Sequence, residues 1–261
     1  MEQPVVLVKK EKGIATVTYN RPENLNALNR ELLDRLVVVV GELKDDDTVK
    51  VVVTTGAGQA YCAGADLVYP FLGLTNTAEI REYMNKVNTI VFNLRTMAKP
   101  VISAVNGAAV GGGFSYALAG DIIIASEKAR FSPGFTAIGL HPDNGATYLL
   151  PRLVGMVRAS ELFFTNRMVG AAEALQMGMV NRVVAPELLE PTVYDLAATL
   201  TRAAPTAIAL TKDSLNRSLG MDLAAMMELE SKAQSICYLT EDCKEGVTAF
   251  LEKRKPVYKG R

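Results

Sequence analysis

Hydrophobic residues follow two different periods along the first 186 residues. Runs and alternations of apolar residues predict strands at residues 5–9, 14–19, 49–55, 101–105 and 121–126, with Gly13 at the turn of an initial hairpin. Helical spacing of Leu and Val predicts two intervening helices, one that begins after an Asn29 N-cap and one at residues 79–96. Because strands that alternate with helices favour parallel pairing, the pattern predicts an α/β fold.

The strand pattern stops after about Pro186. The remaining residues contain several amphipathic helical segments, of which LAAMMELESKAQSICYL is the clearest. We therefore predict a core at residues 1–186 and a helical region at residues 187–261 that is mobile or forms oligomers.

Composition excludes several classes of partner. The chain has 28 Lys and Arg and 28 Asp and Glu residues, so it has no net charge to attract nucleic acid or an anionic membrane. Its three cysteines, Cys62, Cys237 and Cys243, match neither a metal-site spacing nor a disulfide set. The N-terminus resembles no secretion signal, and polar residues and glycines interrupt the most apolar stretch, residues 101–125. These features predict a soluble cytoplasmic protein that binds neither nucleic acid nor membranes.

Two loops of small residues each follow a predicted buried strand. The first contains Ala63, Gly64 and Ala65 in AYCAGADL, and the second contains three consecutive glycines in AVGGGF. Such residues let a ligand approach the backbone, and unpaired N–H groups at a helix start suit an oxyanion. Small residues can equally serve only to pack a helix against a strand. The two loops together favour a binding site.

These loops belong to a longer series of motifs. NRPENLNALN, AYCAGADL, KPVISAVNGAAVGGGF, YALAGDIIIAS, GLHPDNGATYLLPRLVG, ALQMGMVNRVV and EGVTAFLEKRKPVYKG resemble, in order, successive blocks of the crotonase (enoyl-CoA hydratase/isomerase) family. The resemblance implies a spiral of ββα turns with a helical C-terminal region that assembles trimers, usually paired into hexamers. It also implies an oxyanion hole for the substrate thioester, formed by the N–H groups of Ala65 and Gly112.

The same resemblance implies a coenzyme A site. Ala63, Asp66 and Leu67 are expected near the adenine, and Leu25, Asn26 and Ala27 near the pantetheine. Lys253 is the candidate contact for the phosphates, although a solvated lysine at a helix end explains it equally well. Coenzyme A would enter as part of the acyl-CoA substrate, and no separate cofactor or metal is expected.

The family resemblance also bears on the reaction. Hydratases of this family use two glutamates, and this chain has Ser115 and Gly134 at the matching positions. Hydration needs one group to activate water and another to deliver a proton, so we expect it to be slow here. Asp143 matches the acid of the family members that move double bonds, and its surroundings are most similar to the isomerases of phenylacetyl-CoA catabolism. The sequence therefore favours an enoyl-CoA isomerase.

Other interpretations stay open at this stage. Asp143 could cap a helix or stabilise a turn, because PDNG is a strong turn sequence. His141, the only histidine, could assist catalysis, although family members do not generally require it. Hydratase-type activity, thioester hydrolysis, dehalogenation with Asp143 as nucleophile, and non-catalytic binding of acyl-CoA are the alternatives. We expect loop 68–78 and the C-terminal helices to set acyl specificity.

Overall fold

The computed structural model describes residues 3–67 and 73–261. In this part of the chain the helices are α1 Arg30–Asp45, α2 Thr77–Thr96, α3 Gly112–Leu118, α4 Ala146–Val154, α5 Met156–Thr165, α6 Ala171–Gln176, α7 Leu189–Leu200, α8 Pro205–Ser218, α9 Leu223–Tyr238 and α10 Glu241–Leu251. The strands are β1 Val6–Glu11, β2 Ile14–Tyr19, β3 Val51–Gly56, β4 Ala60–Cys62, β5 Val101–Val105, β6 Ala108–Val110, β7 Ile122–Ser126, β8 Arg130–Ser132, β9 Val169–Gly170 and β10 Arg182–Val184. Asn29 caps α1 as predicted, since its side chain accepts a hydrogen bond from the Leu32 N–H at 2.9 Å.

The larger sheet has six strands in the order β1-β2-β3-β5-β7-β10. The first two form the predicted antiparallel hairpin, and every later neighbour pairs in parallel. Strands β3 and β5 are buried along almost their whole length, which accounts for their continuous apolar sequences. The α/β prediction is confirmed.

A second sheet, in the order β4-β6-β8-β9, was not predicted. Its strands have only two or three residues, too few to show a period of two. Strands β4, β6 and β8 each follow a long strand of the larger sheet and precede a helix, so the chain repeats the units β3-β4-α2, β5-β6-α3 and β7-β8-α4, whereas β9 follows α5. This is the expected spiral of ββα turns, and it places the ends of β4 and β6 side by side.

The C-terminal part of the described chain is helical after Val184. Leu189, Val193 and Ala197 of α7 are buried in a core shared with strands of the larger sheet, such as Val51 and Ile102. Helices α9 and α10 expose large apolar side chains instead. The division of the chain at residue 186 stays a prediction.

No helix in residues 3–67 and 73–261 is both long and apolar enough to cross a membrane.

Candidate active site

Two loops meet where β4 and β6 end. Because these strands pair in parallel, the segments that follow them leave the second sheet at the same edge. A Cβ atom built on Gly64 would lie 2.9 Å from the carbonyl oxygen of Val110 and 3.6 Å from the Cα of Gly111. Gly64 also has a φ of 93°, which other residues rarely adopt. Glycine is therefore required here for the two backbones to touch.

In the described part of the chain, the backbone N–H of Ala65 has no hydrogen-bond partner, because Leu28 pairs with the residues on either side of Ala65. Leu28 donates to the carbonyl of Gly64 at 2.7 Å and accepts from the N–H of Asp66 at 3.1 Å, so Leu28 and Ala65 form a parallel bridge. In such a bridge the central residue directs its own N–H to the opposite side. Among residues 3–67 and 73–261 this N–H has no acceptor.

The N–H of Gly112 is also free, because Gly112 is the first residue of α3. Its neighbour Gly111 donates to the carbonyl of Ser132, and the first bond of the helix runs from the Ser115 N–H to the Gly111 carbonyl, both at 3.1 Å. No acceptor for Gly112 lies in the described ranges. Both predicted oxyanion donors are thus available to a ligand.

The structure places Ala65, Gly112 and Asp143 around one cavity of about 260 Å³. Its other walls are mainly apolar, and they come from α1, α2 and the segment that precedes α4. They include Leu33, Met84, Val87, Phe135, Ile138 and Leu140. The cavity therefore combines two free amides and a carboxylate with a predominantly apolar lining, which is the combination that a thioester enolate requires.

Asp143 is held by both its backbone and its side chain. The hydroxyl of Ser115 donates to the Asp143 carbonyl at 3.1 Å, and the Asn144 amide nitrogen donates to Oδ1 of Asp143 at 2.6 Å. Burial raises the pKa of the Asp143 carboxyl, and the bond from Asn144 and the nearby His141 oppose this shift. A carboxyl with a raised pKa accepts and returns protons more readily near neutral pH.

The alternative role of Asp143 as a side-chain cap is not observed. The N-cap residue of α4 is Gly145, and no side chain caps this helix. It is the backbone carbonyl of Asp143 that accepts from the Ala146 N–H, at 3.0 Å. The carboxylate is free to act in the cavity.

Neither glutamate position of the hydratases carries a carboxylate. Ser115 is fully buried in α3, where its hydroxyl contacts the backbone of Gly111 and Asp143. Gly134 lines the cavity with a φ of 68°. Within the described residues, Asp143 is the one carboxylate in the cavity wall.

The residues predicted to contact coenzyme A have different environments. Ala63 and Leu67 line the cavity, and Leu67 is exposed. Leu25 is also exposed, whereas Asp66 pairs with Arg21 at 3.0 Å. These four positions lie on two adjoining loops, because the Ala63 N–H donates to the carbonyl of Leu25 at 3.0 Å.

Asn26 and Ala27 serve mainly to shape the loop. Asn26 is fully buried, accepts from the Arg21 N–H, and donates to the carbonyls of Ala57 and Ala60. The carbonyl of Ala27 accepts from Arg21 at 2.6 Å. The sequence analysis did not predict that Arg21 holds this loop. The position of Arg21 in the NRPENLNAL motif could have indicated it.

Lys253 lies just after α10 and does not line the cavity of its own chain. It has a φ of 55°, and its N–H donates to the carbonyl of Phe250 at 3.2 Å. Its predicted contact with phosphates stays a prediction.

Cys62 fills apolar space behind the loop. It is fully buried in the main core, and a Cβ on Gly113 would lie 2.6 Å from the Cβ of Cys62. Burial raises the pKa of its thiol to about 12. The third glycine therefore lets α3 pack against an unreactive thiol.

A second cavity, of about 710 Å³, adjoins the first at Asp143 and Asn144. Helices α2, α4 and α8 form its walls, with Phe92 and Tyr148 as its aromatic residues. Sequence analysis did not predict this cavity. Of loop 68–78, residues 68–72 lie outside the described residues.

The family model for enoyl-CoA hydratase/isomerase matches residues 9–261. The chain belongs to this family. A short-chain-enoyl-CoA hydratase from Clostridium acetobutylicum is 42% identical over 256 residues, which cover 98% of this chain and 97% of that protein. The 1,2-epoxyphenylacetyl-CoA isomerase of Escherichia coli is 38% identical over 258 residues, which cover 98% of this chain and 98% of that protein.

Solved structures support the same family. The crystal structure of a putative enoyl-CoA hydratase from Streptomyces coelicolor A3(2) superposes with a TM-score of 0.94 at 35% identity, covering 100% of this chain and 96% of that one. The predicted crotonase fold is confirmed. Enoyl-CoA hydratase/isomerase chemistry is thereby the activity class of this chain.

Proposed function

We propose that the protein isomerises the double bond of an enoyl-CoA, with Asp143 as the group that transfers the proton. The observation that carries this proposal is the cavity wall, in which Asp143 is the one carboxylate of the described residues and faces the same space as two free amides. Moving a double bond requires one base that also acts as an acid. Hydration requires an additional group.

The reaction begins with removal of a proton from the carbon next to the thioester carbonyl of a 3-enoyl-CoA. The electron pair of this C–H bond moves into a dienolate, and the thioester oxygen becomes negative. The N–H groups of Ala65 and Gly112 would stabilise this oxygen more strongly than the neutral carbonyl, which lowers the barrier. Asp143 then returns the proton to the fourth carbon, and the product is a 2-enoyl-CoA.

Coenzyme A would enter along the two adjoining loops. Leu25, Ala63 and Leu67 offer backbone and apolar contacts to the pantetheine and adenine, and the Arg21–Asp66 pair supports the same surface. Asn26 and Ala27 would act through the shape of the loop. Lys253 would reach the phosphates from a neighbouring subunit.

Enoyl-CoA hydration is the second candidate, because relatives 42% and 38% identical to this chain are named short-chain-enoyl-CoA hydratase and crotonyl-CoA hydratase. The two candidates predict different products. Hydration yields a 3-hydroxyacyl-CoA, which is heavier by one water, whereas isomerisation yields an enoyl-CoA of the same elemental composition with its double bond at another position.

The deciding experiment incubates the protein with 3-enoyl-CoA and 2-enoyl-CoA in D2O and follows both products by liquid chromatography and mass spectrometry. We expect double-bond migration, with deuterium at the fourth carbon only in the fraction of turnovers in which Asp143 exchanges its proton with D2O before returning it. A 3-hydroxyacyl-CoA as the main product would establish hydration instead. No change in either substrate would leave only acyl-CoA binding.

Asp143→Asn should lower isomerisation by at least about a hundredfold, because an amide cannot accept the proton. His141→Ala, an exposed neighbour on the same loop, is the matched control and should retain most activity.

Because burial raises the pKa of Asp143, wild-type activity should fall on acidification, and the fall should begin at a pH above about 3.9, the ordinary pKa of aspartate. Ionised Asp143 disfavours the folded state at neutral pH for the same reason, so Asp143→Asn should not lower the melting temperature there. Full activity in Asp143→Asn would contradict the mechanism.

A further inference from the structure

Asn144 occupies the boundary between the two cavities. It directly follows Asp143, is 5% exposed and contributes to the walls of both cavities. Its amide nitrogen lies 3.8 Å from the position that a Cβ on Gly112 would take. The amide thus lies near both the carboxylate and one of the oxyanion donors.

The side chain of Asn144 makes an uneven set of hydrogen bonds. Its Nδ2 donates to Oδ1 of Asp143 at 2.6 Å, whereas its own Oδ1 is buried and has no partner. Leaving such an oxygen unpaired costs about 1–3 kcal/mol. The bond to the carboxylate is therefore the one hydrogen bond that sets the orientation of this amide in the described structure.

Backbone conformation gives an alternative reason for an asparagine here. Asn144 has a φ of 49°, and asparagine tolerates this left-handed conformation better than most residues. Asn166 provides a comparison, because it has a φ of 51°, donates to a side-chain oxygen of Thr136 at 2.6 Å, and has an unpartnered Oδ1. Asn166 lines neither cavity at Asp143. Asn166 therefore shows what the left-handed backbone alone requires, and only Asn144 combines this backbone with a position beside Asp143.

We propose that Asn144 is a positioning residue for the proton transfer: its amide occupies Oδ1 of Asp143, so that Oδ2 alone accepts and returns the substrate proton. This inference rests on the proposed isomerase function. A single oxygen acting in both steps fits transfer along one face of the substrate, because the proton never has to move between the two oxygens. The same bond favours the ionised carboxylate, which must be present before the substrate proton is removed.

Other titratable groups lie near Asp143 or across the second cavity. His141 lies on the same loop, and Tyr116 of α3 is buried behind the cavity. Across the second cavity, Arg95 of α2 pairs with Asp121, and Arg217 of α8 pairs with Asp213. These arginines are engaged with other carboxylates, so the Asn144 amide is the side-chain hydrogen-bond donor to the Asp143 carboxyl, which is also stabilised by the backbone N–H of Asp143.

Asn144→Gly is the informative variant, because glycine keeps the left-handed backbone and removes the amide. We expect kcat to fall about tenfold to a hundredfold with little change in KM, and the acidic limb of the rate profile to move to higher pH. Asn144→Asp should move this limb further, because it places a second carboxylate beside the first. Asn166→Gly, the matched control, should leave both kcat and the pH profile unchanged.

A readout independent of activity keeps the two proposals separate. The ¹³C carboxyl signal of Asp143, assigned by its loss in Asp143→Asn, reports its pKa directly. We expect this pKa to be higher in Asn144→Gly than in the wild type and in Asn166→Gly. An unchanged pKa in Asn144→Gly would overturn the role of Asn144 even if the protein isomerises enoyl-CoA. A higher pKa in a protein that moves no double bond would instead reject the isomerase function and leave the amide–carboxylate coupling intact.

Discussion

Gly134 lines the cavity in a left-handed backbone conformation that favours glycine. With a φ of 68°, the position disfavours any side chain, and a Cβ there would lie 2.9 Å from Cγ1 of Val110. A glutamate at this position would therefore strain the backbone and push against β6. The absence of a side chain at this point of the cavity wall is therefore set by the local conformation and not only by the residue type.

Gly134→Ala should destabilise the protein by more than the approximately 1–2 kcal/mol expected for a left-handed alanine, because of the added contact with Val110. Gly139→Ala is the matched control: Gly139 has a φ of 74°, but a Cβ there meets no atom within 4 Å. Urea unfolding of both variants measures the difference. Equal losses of stability would mean that the contact with Val110 relaxes without cost.

At the scale of elements, Lys212 joins α8 to the core. Its ammonium is buried, contacts Asp121 at 2.7 Å, and donates to the carbonyls of Leu94 and Lys99 at 2.8 and 2.9 Å. Asp121 also accepts from the Val101 N–H at the start of β5, at 2.8 Å. One ion pair thus links a C-terminal helix to the larger sheet and fixes the α8 wall of the second cavity.

Lys212→Met should lower the free energy of unfolding by about 1–3 kcal/mol, because it removes the donor to the carbonyls of Leu94 and Lys99, although Asp121 keeps its pair with Arg95. Arg217→Met removes an exposed pair on the same helix, and it should cost less than about 1 kcal/mol. Chemical denaturation compares the two. A similar small loss in both variants would show that α8 is held by its apolar contacts alone.

Element length decided how much of the fold could be predicted from the sequence. Helices α1 and α2 and the five- and six-residue strands of the larger sheet have enough residues to show a pattern, whereas the short helices α3 and α6 and strands β4, β6, β8 and β9 do not. The resemblance to the family pointed to Asp143 and to the loops of the two free amides. The contact of Asp143 with Ser115 required three-dimensional information, because α3 and the Asp143 loop are distant in sequence. The bond from Asn144 required it too, because it depends on the orientation of the side chain.

At the scale of the whole molecule, the C-terminal helices present an apolar surface. Leu239, after α9, and Phe250, in α10, are 86% and 83% exposed in the single chain. Large apolar side chains that cluster on adjacent helices indicate a protein–protein interface. The trimer or pair of trimers stays a prediction, and assembly would also determine what surrounds Lys253.

Sedimentation analysis should give the mass of three or six chains. Phe250→Glu should shift the protein toward the monomer, because it places a charge in the apolar interface. Val38→Glu changes an exposed valine on α1, in the core region, and should leave the mass unchanged. A wild-type protein that sediments as a monomer would reject the assembly.

The buried thiol of Cys62 makes this protein convenient to label. With its pKa raised to about 12, Cys62 holds almost no thiolate at neutral pH, so maleimides and mild oxidants should spare the loop that lines the cavity. Cys237 and Cys243, by contrast, are partly accessible on the C-terminal helices. Dyes or surface linkers attached there would leave the chemistry at Asp143 intact and report on contacts between chains.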